Sequence, residues 1–264
     1  MRASRAPIGG VLPVCTALTA HDTALFGPNL AIDLIGQLAG RGWAFAPGAL
    51  DIELVEALRA ETVAMSQAGA LAQARIGRGA ALSRDRTIRK TQIAWLDGVT
   101  PAQRAFLDGA ERLRLEINRA LFAGLFEFEA HFAAYPVGGF YARHLDAFTA
   151  PSRAASAAAG LGKRAERSRI VSMVTYLNTG WTPEDGGQLA VWEGYEQDER
   201  GRPALDRLDG VAPAAILEPR AGSIVLMMSE QIPHEVRPAA APRYAIAGWW
   251  RVNASVGGVI DPGR

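Results

Sequence analysis

The chain has 264 residues, of which 49% are hydrophobic and 21% charged, a balance that supports a buried core and excludes a disordered tail as the main state. Lys plus Arg is 28 against 27 for Asp plus Glu, so no global field favours nucleic acid or an anionic membrane. The single cysteine, Cys15, excludes an internal disulfide and any thiolate metal cluster, which fits a reducing, cytoplasmic setting.

No apolar run is long enough to span a bilayer. Arg2 and Arg5 precede a mildly apolar stretch that Pro7, Pro13 and two glycines interrupt, so residues 1–40 read as an extension of the domain rather than an export signal. Within it, Leu30, Leu34 and Leu38 keep a helical period over residues 29–38, and His21 has no ligand nearby in sequence. Trp43 to Phe45 reads as a short strand, followed by a helix from Asp51, its cap, to Met65. A longer helix is expected from Pro101 to Leu121, with Phe106, Leu113 and Ile117 along one stripe.

The period then changes. Phe126, Phe128, Ala130 and Phe132 alternate with Glu127, Glu129 and His131, the pattern of a half-buried strand on which His131 reads as an ordinary histidine. Further strands are expected over residues 139–145, 169–177, 188–192, 214–217, 223–228 and 244–252. Residues 147–168, rich in Ala, Ser, Gly, Arg and Lys, read as a surface insertion, with a lid over a site as the second reading. Helices first and strands later predict a mainly β, α+β architecture: one domain over 41–255, with helical support over 41–125, a barrel or sandwich core over 126–252, and a tail at 256–264.

Only four histidines are present, and His144 stands two before Asp146. On a strand, residues i and i+2 share a face, so an imidazole and a carboxylate can converge on one ion; a hydrogen-bonded surface pair has the same spacing. His234 lies far downstream, in Ile232-Pro233-His234-Glu235-Val236. Two imidazoles and one carboxylate form the facial arrangement of non-haem iron(II) oxygenases, which keeps three coordination positions open. Arg243, nine residues further on, opens an apolar strand and needs an anionic partner. An internal acid is the commoner partner for such an arginine, but the order His-x-Asp, long gap, His, Arg points to the distal carboxylate of a 2-oxo acid.

With these motifs, and with Pro233-His234-Glu235-Val236 running to Arg243-Tyr244-Ala245-Ile246 and Trp249, the sequence resembles the prolyl 4-hydroxylase-like branch of the 2-oxoglutarate/iron(II) dioxygenases. Within that branch it is similar to the EGL-nine (hypoxia-inducible-factor) type prolyl hydroxylases and their bacterial relatives, over roughly residues 40–252. The resemblance implies a double-stranded β-helix, or jelly roll, with N-terminal helices on one sheet. It implies iron(II) on His144, Asp146 and His234, with 2-oxoglutarate and dioxygen as co-substrates and ascorbate as reductant. Arg243 and Tyr176 then hold the distal carboxylate, and Tyr135 lies beside the metal and oxo acid. Arg169, Leu189, Trp249, Arg89 and Trp95 match the substrate side. Thr91 stands where the animal enzymes carry an acid, so the salt bridge to Arg89 is expected to be absent, and the 147–168 insertion exceeds that of the relatives.

The implied activity is C4 hydroxylation of a prolyl residue in a protein or peptide, releasing succinate and carbon dioxide, with a translation factor such as elongation factor Tu as one bacterial target. The rivals are an oxygenase of a free amino acid or small metabolite, and a jelly-roll sensing or binding module without turnover. Trp181, Trp192 and Trp250 read as packing residues and Glu184-Asp185 as a turn.

Overall fold

The computed structural model describes residues 28–74, 88–147, 169–198 and 203–252. The insertion at 148–168, His21, Cys15 and the tail at 256–264 lie outside the described residues.

Three α-helices lie in the first half of the chain, interleaved with its first three strands: α1 (Pro28–Arg41), α2 (Ile52–Gln67) and α3 (Pro101–Leu121). Asp51 caps α2, accepting from the amides of Glu53 and Leu54 at 2.9 and 3.1 Å, which satisfies two amides that a helix start leaves open. Thr100 caps α3 by accepting from Gln103 N at 3.1 Å, and its hydroxyl donates to Glu61 of α2 at 2.6 Å, tying the two helices. Ala31, Leu34, Ile35 and Leu38 of α1 are buried in the main core, so the extension drawn to residue 40 contains a helix that belongs to the domain.

The strands are β1 (Trp43–Ala46), β2 (Ala72–Gln73), β3 (Gln92–Trp95), β4 (Leu125–Tyr135), β5 (Tyr141–His144), β6 (Arg169–Tyr176), β7 (Leu189–Val191), β8 (Ala215–Leu217), β9 (Ile224–Met228), β10 (His234–Val236) and β11 (Arg243–Val252). They form a seven-stranded sheet, ordered β1-β9-β6-β11-β4-β3-β2, and a four-stranded sheet, ordered β5-β10-β7-β8. The named strand pairs are antiparallel throughout, which gives the expected jelly roll of two facing sheets.

Two large apolar cores follow from this layering, beside a small cluster of Ala190, Trp192 and Leu208. One joins the helices to the outer face of the large sheet, through Leu34, Leu58, Phe106, Phe132, Ile246 and Trp250. Each of these large, nearly inaccessible side chains is worth roughly 2–3 kcal/mol of burial. The other fills the space between the sheets, with Tyr135, Tyr176, Ala133 and Ala245 of the large sheet against Leu189, Val191 and Val236 of the small one. Strand β4 therefore differs from the half-buried strand its alternation suggests. From Ala130 onward it is enclosed on both faces, because helices cover one side and the second sheet covers the other. Its aromatic alternates Phe128 and Phe132 meet the helices, which leaves Glu127, Glu129 and His131 on the inner face.

Candidate active site

Strand alternation fixes which side chains enter the space between the sheets. On β4, Glu129, His131, Ala133 and Tyr135 share a face, and on the neighbouring β11 their register partners are Trp249, Ala247, Ala245 and Arg243. On the small sheet, β5 and β10 pair so that His144 stands directly opposite His234.

The two imidazoles lie with ring centroids 4.3 Å apart. Asp146 projects between them, with its two carboxylate oxygens each 3.6 Å from one histidine Nε2. One ligand atom from each of the three residues lies within 4.8 Å of the others, a spacing that can hold a metal ion. Main-chain carbonyls set the tautomers: His144 Nδ1 donates to Ala142 O at 2.7 Å and His234 Nδ1 donates to Ile232 O at 2.9 Å. Each Nε2 is left with a lone pair aimed toward the carboxylate.

The electrostatics agree with a cation-binding triad. Burial works to raise the Asp146 carboxyl, yet His234 and His144 outweigh it and hold it well below the usual carboxylate range. Burial, with the neighbouring His144, pushes the His234 imidazole down to about 4, so it is neutral and ready to ligate at physiological pH.

Deeper between the sheets, Arg243 is 3% exposed. Its Nε donates to Gly187 O at 2.8 Å, and its guanidinium lies 4.6 Å from the Tyr135 ring centre and 5.1 Å from that of Tyr176. No carboxylate among the described residues pairs with it, and a buried unpaired charge costs on the order of several kcal/mol. Beside it the Tyr176 hydroxyl is buried without a hydrogen-bond partner, and burial pushes its pKa up to about 12, so it remains a donor. A buried cation and an idle phenol donor fit the carboxylate of a small acid, which is the group a bound 2-oxoglutarate would present there.

The other sequence-derived positions fall around this centre. Tyr141 stacks on His144 at 3.5 Å, and the Arg89 guanidinium lies 4.6 Å over Tyr141. Trp95, on β3, is 55% exposed. Leu189 is buried in the inter-sheet core beside Tyr135 and Tyr176. Arg169 lies 3.6 Å over the Trp249 ring and bonds Glu129 at 3.0 Å, so it is locked into the wall. Thr91 is buried and donates to Ala134 O at 3.0 Å. Two further residues lie at the site without a functional assignment from the sequence. His131, assigned an ordinary role, lies on the inner face four before Tyr135, a parity that the alternation already contained. Gly187 supports Arg243 closely: a Cβ there would come 2.8 Å from Arg243 Cδ.

A jelly roll that brings two histidines and one aspartate together beside a buried, unpaired arginine defines the class of non-haem metal oxygenases using a 2-oxo acid. The model of the 2OG-Fe(II) oxygenase superfamily matches residues 130–251. The chain is 37% identical to a prolyl-4-hydroxylase from Pseudomonas putida, with a TM-score of 0.65 over 84% of this chain and 98% of that one. It belongs to the 2OG-Fe(II) oxygenase superfamily and is an oxygenase. A prolyl hydroxylase from Trichoplax adhaerens, solved with a hypoxia inducible factor oxygen degradation domain peptide, is 24% identical, with a TM-score of 0.64 over 84% of this chain and 89% of that one. The epimerase SnoN from nogalamycin biosynthesis, 17% identical with a TM-score of 0.57 over 90% and 94%, shares the fold. No described helix is long and apolar enough to cross a membrane.

Proposed function

We propose that this enzyme hydroxylates a prolyl residue of a protein at C4, with one domain, α1 included, carrying the chemistry. The observation that carries the reading is the pairing of the His144, Asp146 and His234 triad with Arg243, a buried guanidinium that has no acidic partner among the described residues. Iron(II), with 2-oxoglutarate and dioxygen, supplies when bound the oxidising power for an unactivated C–H bond, with succinate and carbon dioxide as by-products.

The residues' own work is holding, orienting and drying. His144, Asp146 and His234 would hold the metal. Arg243 and Tyr176 hold the distal carboxylate of the co-substrate, and Tyr135 walls it beside the cation. Leu189 and Trp249 exclude water, which strengthens every charge interaction inside. Arg89, Trp95 and Arg169 border the acceptor's approach. Identity of 37% over nearly the whole of a bacterial prolyl-4-hydroxylase supports the prolyl acceptor. A cytoplasmic translation factor such as elongation factor Tu is a suitable first target, with ascorbate keeping the metal reduced. The test is mass spectrometry of proteins from cells with active and with metal-ligand-substituted enzyme. Oxygen gained on proline supports the reading; oxygen gained only on a free metabolite or another side chain overturns it.

A further inference from the structure

His131 has no task in the scheme above, yet it is placed like a working residue. It sits on the inner face of β4, 2% exposed, opposite Ala247 of β11 and Trp95 of β3. Its ring is held edge-on by Trp95 at 5.4 Å and tilted against Trp249 at 5.3 Å. The stretch of floor between it and Arg243 is lined by the small side chains of Ala133, Ala245 and Ala247.

The chemistry of the ring is fixed. Nδ1 lies 3.1 Å from Phe132 O and so carries the proton, which makes Nε2 an acceptor. Nε2 has no hydrogen-bond partner among the described residues. Burial first, then the Arg89 and Arg169 cations, push the imidazole down to about 3, so it stays an acceptor throughout the physiological range. In the adjoining ring, Trp249 Nε1 is a buried donor that also lacks a partner. A buried donor without a partner is costly, and here it lies in a ring that touches one whose acceptor nitrogen is also unpartnered among the described residues. A planar group offering one N–H and one C=O answers both, and that group is an amide.

We propose that His131 and Trp249 form an amide-recognition pair: His131 Nε2 accepts from, and Trp249 Nε1 donates to, a peptide group of the acceptor, holding it against the large sheet while the carbon to be oxidised faces the metal triad. Both are positioning residues. The proposal deepens the protein-substrate reading and rests on it for the peptide; it asks for an amide, whichever side chain is oxidised.

The experiment uses the acceptor found by the proteomic comparison, as a synthetic peptide, with the iron-loaded enzyme. His131→Met removes the acceptor nitrogen at similar size, His131→Gln restores an acceptor near that position, and Trp249→Phe removes only the N–H. The expected result for His131→Met and Trp249→Phe is an acceptor KM raised about tenfold and a lower ratio of oxidised product to succinate. In His131→Met the KM for 2-oxoglutarate and succinate release without acceptor should stay as in wild type, and His131→Gln should recover most of the loss. N-methylation of one amide in the peptide should then cost the wild type but not His131→Met. Unchanged acceptor KM and coupling in both Met and Phe variants would mean the two rings satisfy each other, which overturns the proposal. A parallel rise in the 2-oxoglutarate KM overturns it too, by assigning His131 to the co-substrate. An acceptor oxidised elsewhere than on proline sinks the prolyl reading alone, whereas an acceptor with no amide sinks this one.

Discussion

His144 and His234 are direct cross-strand partners on β5 and β10, so two of the three candidate metal ligands are brought together by one backbone register rather than by loops. A slip of one residue would turn one imidazole to the other face of the small sheet. The register is irregular between His234 and Val236, which localises the adjustment immediately beside the ligand.

Replacing His234 by Ala or Asp146 by Asn should abolish metal binding and lower succinate release at least about a hundredfold. Titration calorimetry with manganese(II), an inert stand-in, checks the affinity. Metal should also raise the melting temperature of the wild type, and that shift should vanish in both variants and on chelation.

Arg243 and Gly187 form a second, separable unit. Gly187 has φ of +70° and its missing side chain leaves space for Arg243, so Gly187→Ala should displace the guanidinium. The expected outcome is a 2-oxoglutarate KM raised about tenfold or more with manganese affinity unchanged. Tyr176→Phe should move the same constant in the same direction by a smaller factor. Steady-state kinetics at saturating oxygen separates the two.

Acid should unfold the protein partly through His131. Its folded pKa, about 3, lies below the ordinary 6.5, so the unfolded chain binds the proton more tightly. Stability from this group is fully present above 6.5 and is lost as pH falls toward 3, at about 1.4 kcal/mol per unit. Between pH 6.5 and 5 the wild type should therefore lose about 2 kcal/mol that His131→Met retains. Urea midpoints at these two values measure the difference, and parallel curves would contradict it.

The helix-side core predicts a stability effect with no catalytic component. Trp250 is fully buried and its ring meets Phe128 at 4.8 Å, so Trp250→Ala should cost about 3–5 kcal/mol. The surviving folded fraction should keep the wild-type KM for 2-oxoglutarate, because Trp250 faces the helices and not the inter-sheet space.

The long, strongly periodic elements were readable from the chain: the helix Pro101–Leu121 agrees with its expected span, and Asp51 caps the helix it precedes. The strand β10 was not anticipated, because three residues carry no period and its existence depends on pairing with β5 and β7. The geometry of the triad was legible because His-x-Asp spacing and a lone downstream histidine are written in types and order. The surroundings of His131 were not legible for the opposite reason. Its significance comes from Trp95 and Trp249, residues 36 positions behind and 118 ahead, which only sheet register brings to it. Gly187 is likewise silent in sequence, since a glycine pair before a strand reads as a turn and its role lies in what leans over it.

Both metal-facing imidazoles take their aim from main-chain oxygens, at Ala142 and Ile232, and not from an acidic or amide side chain. A carbonyl belongs to every amino acid, so no substitution at those two positions deletes the acceptor. Drift in the surrounding sequence can therefore reshape the walls and change what is admitted, while the orientation of the donors at the centre is inherited with the backbone itself.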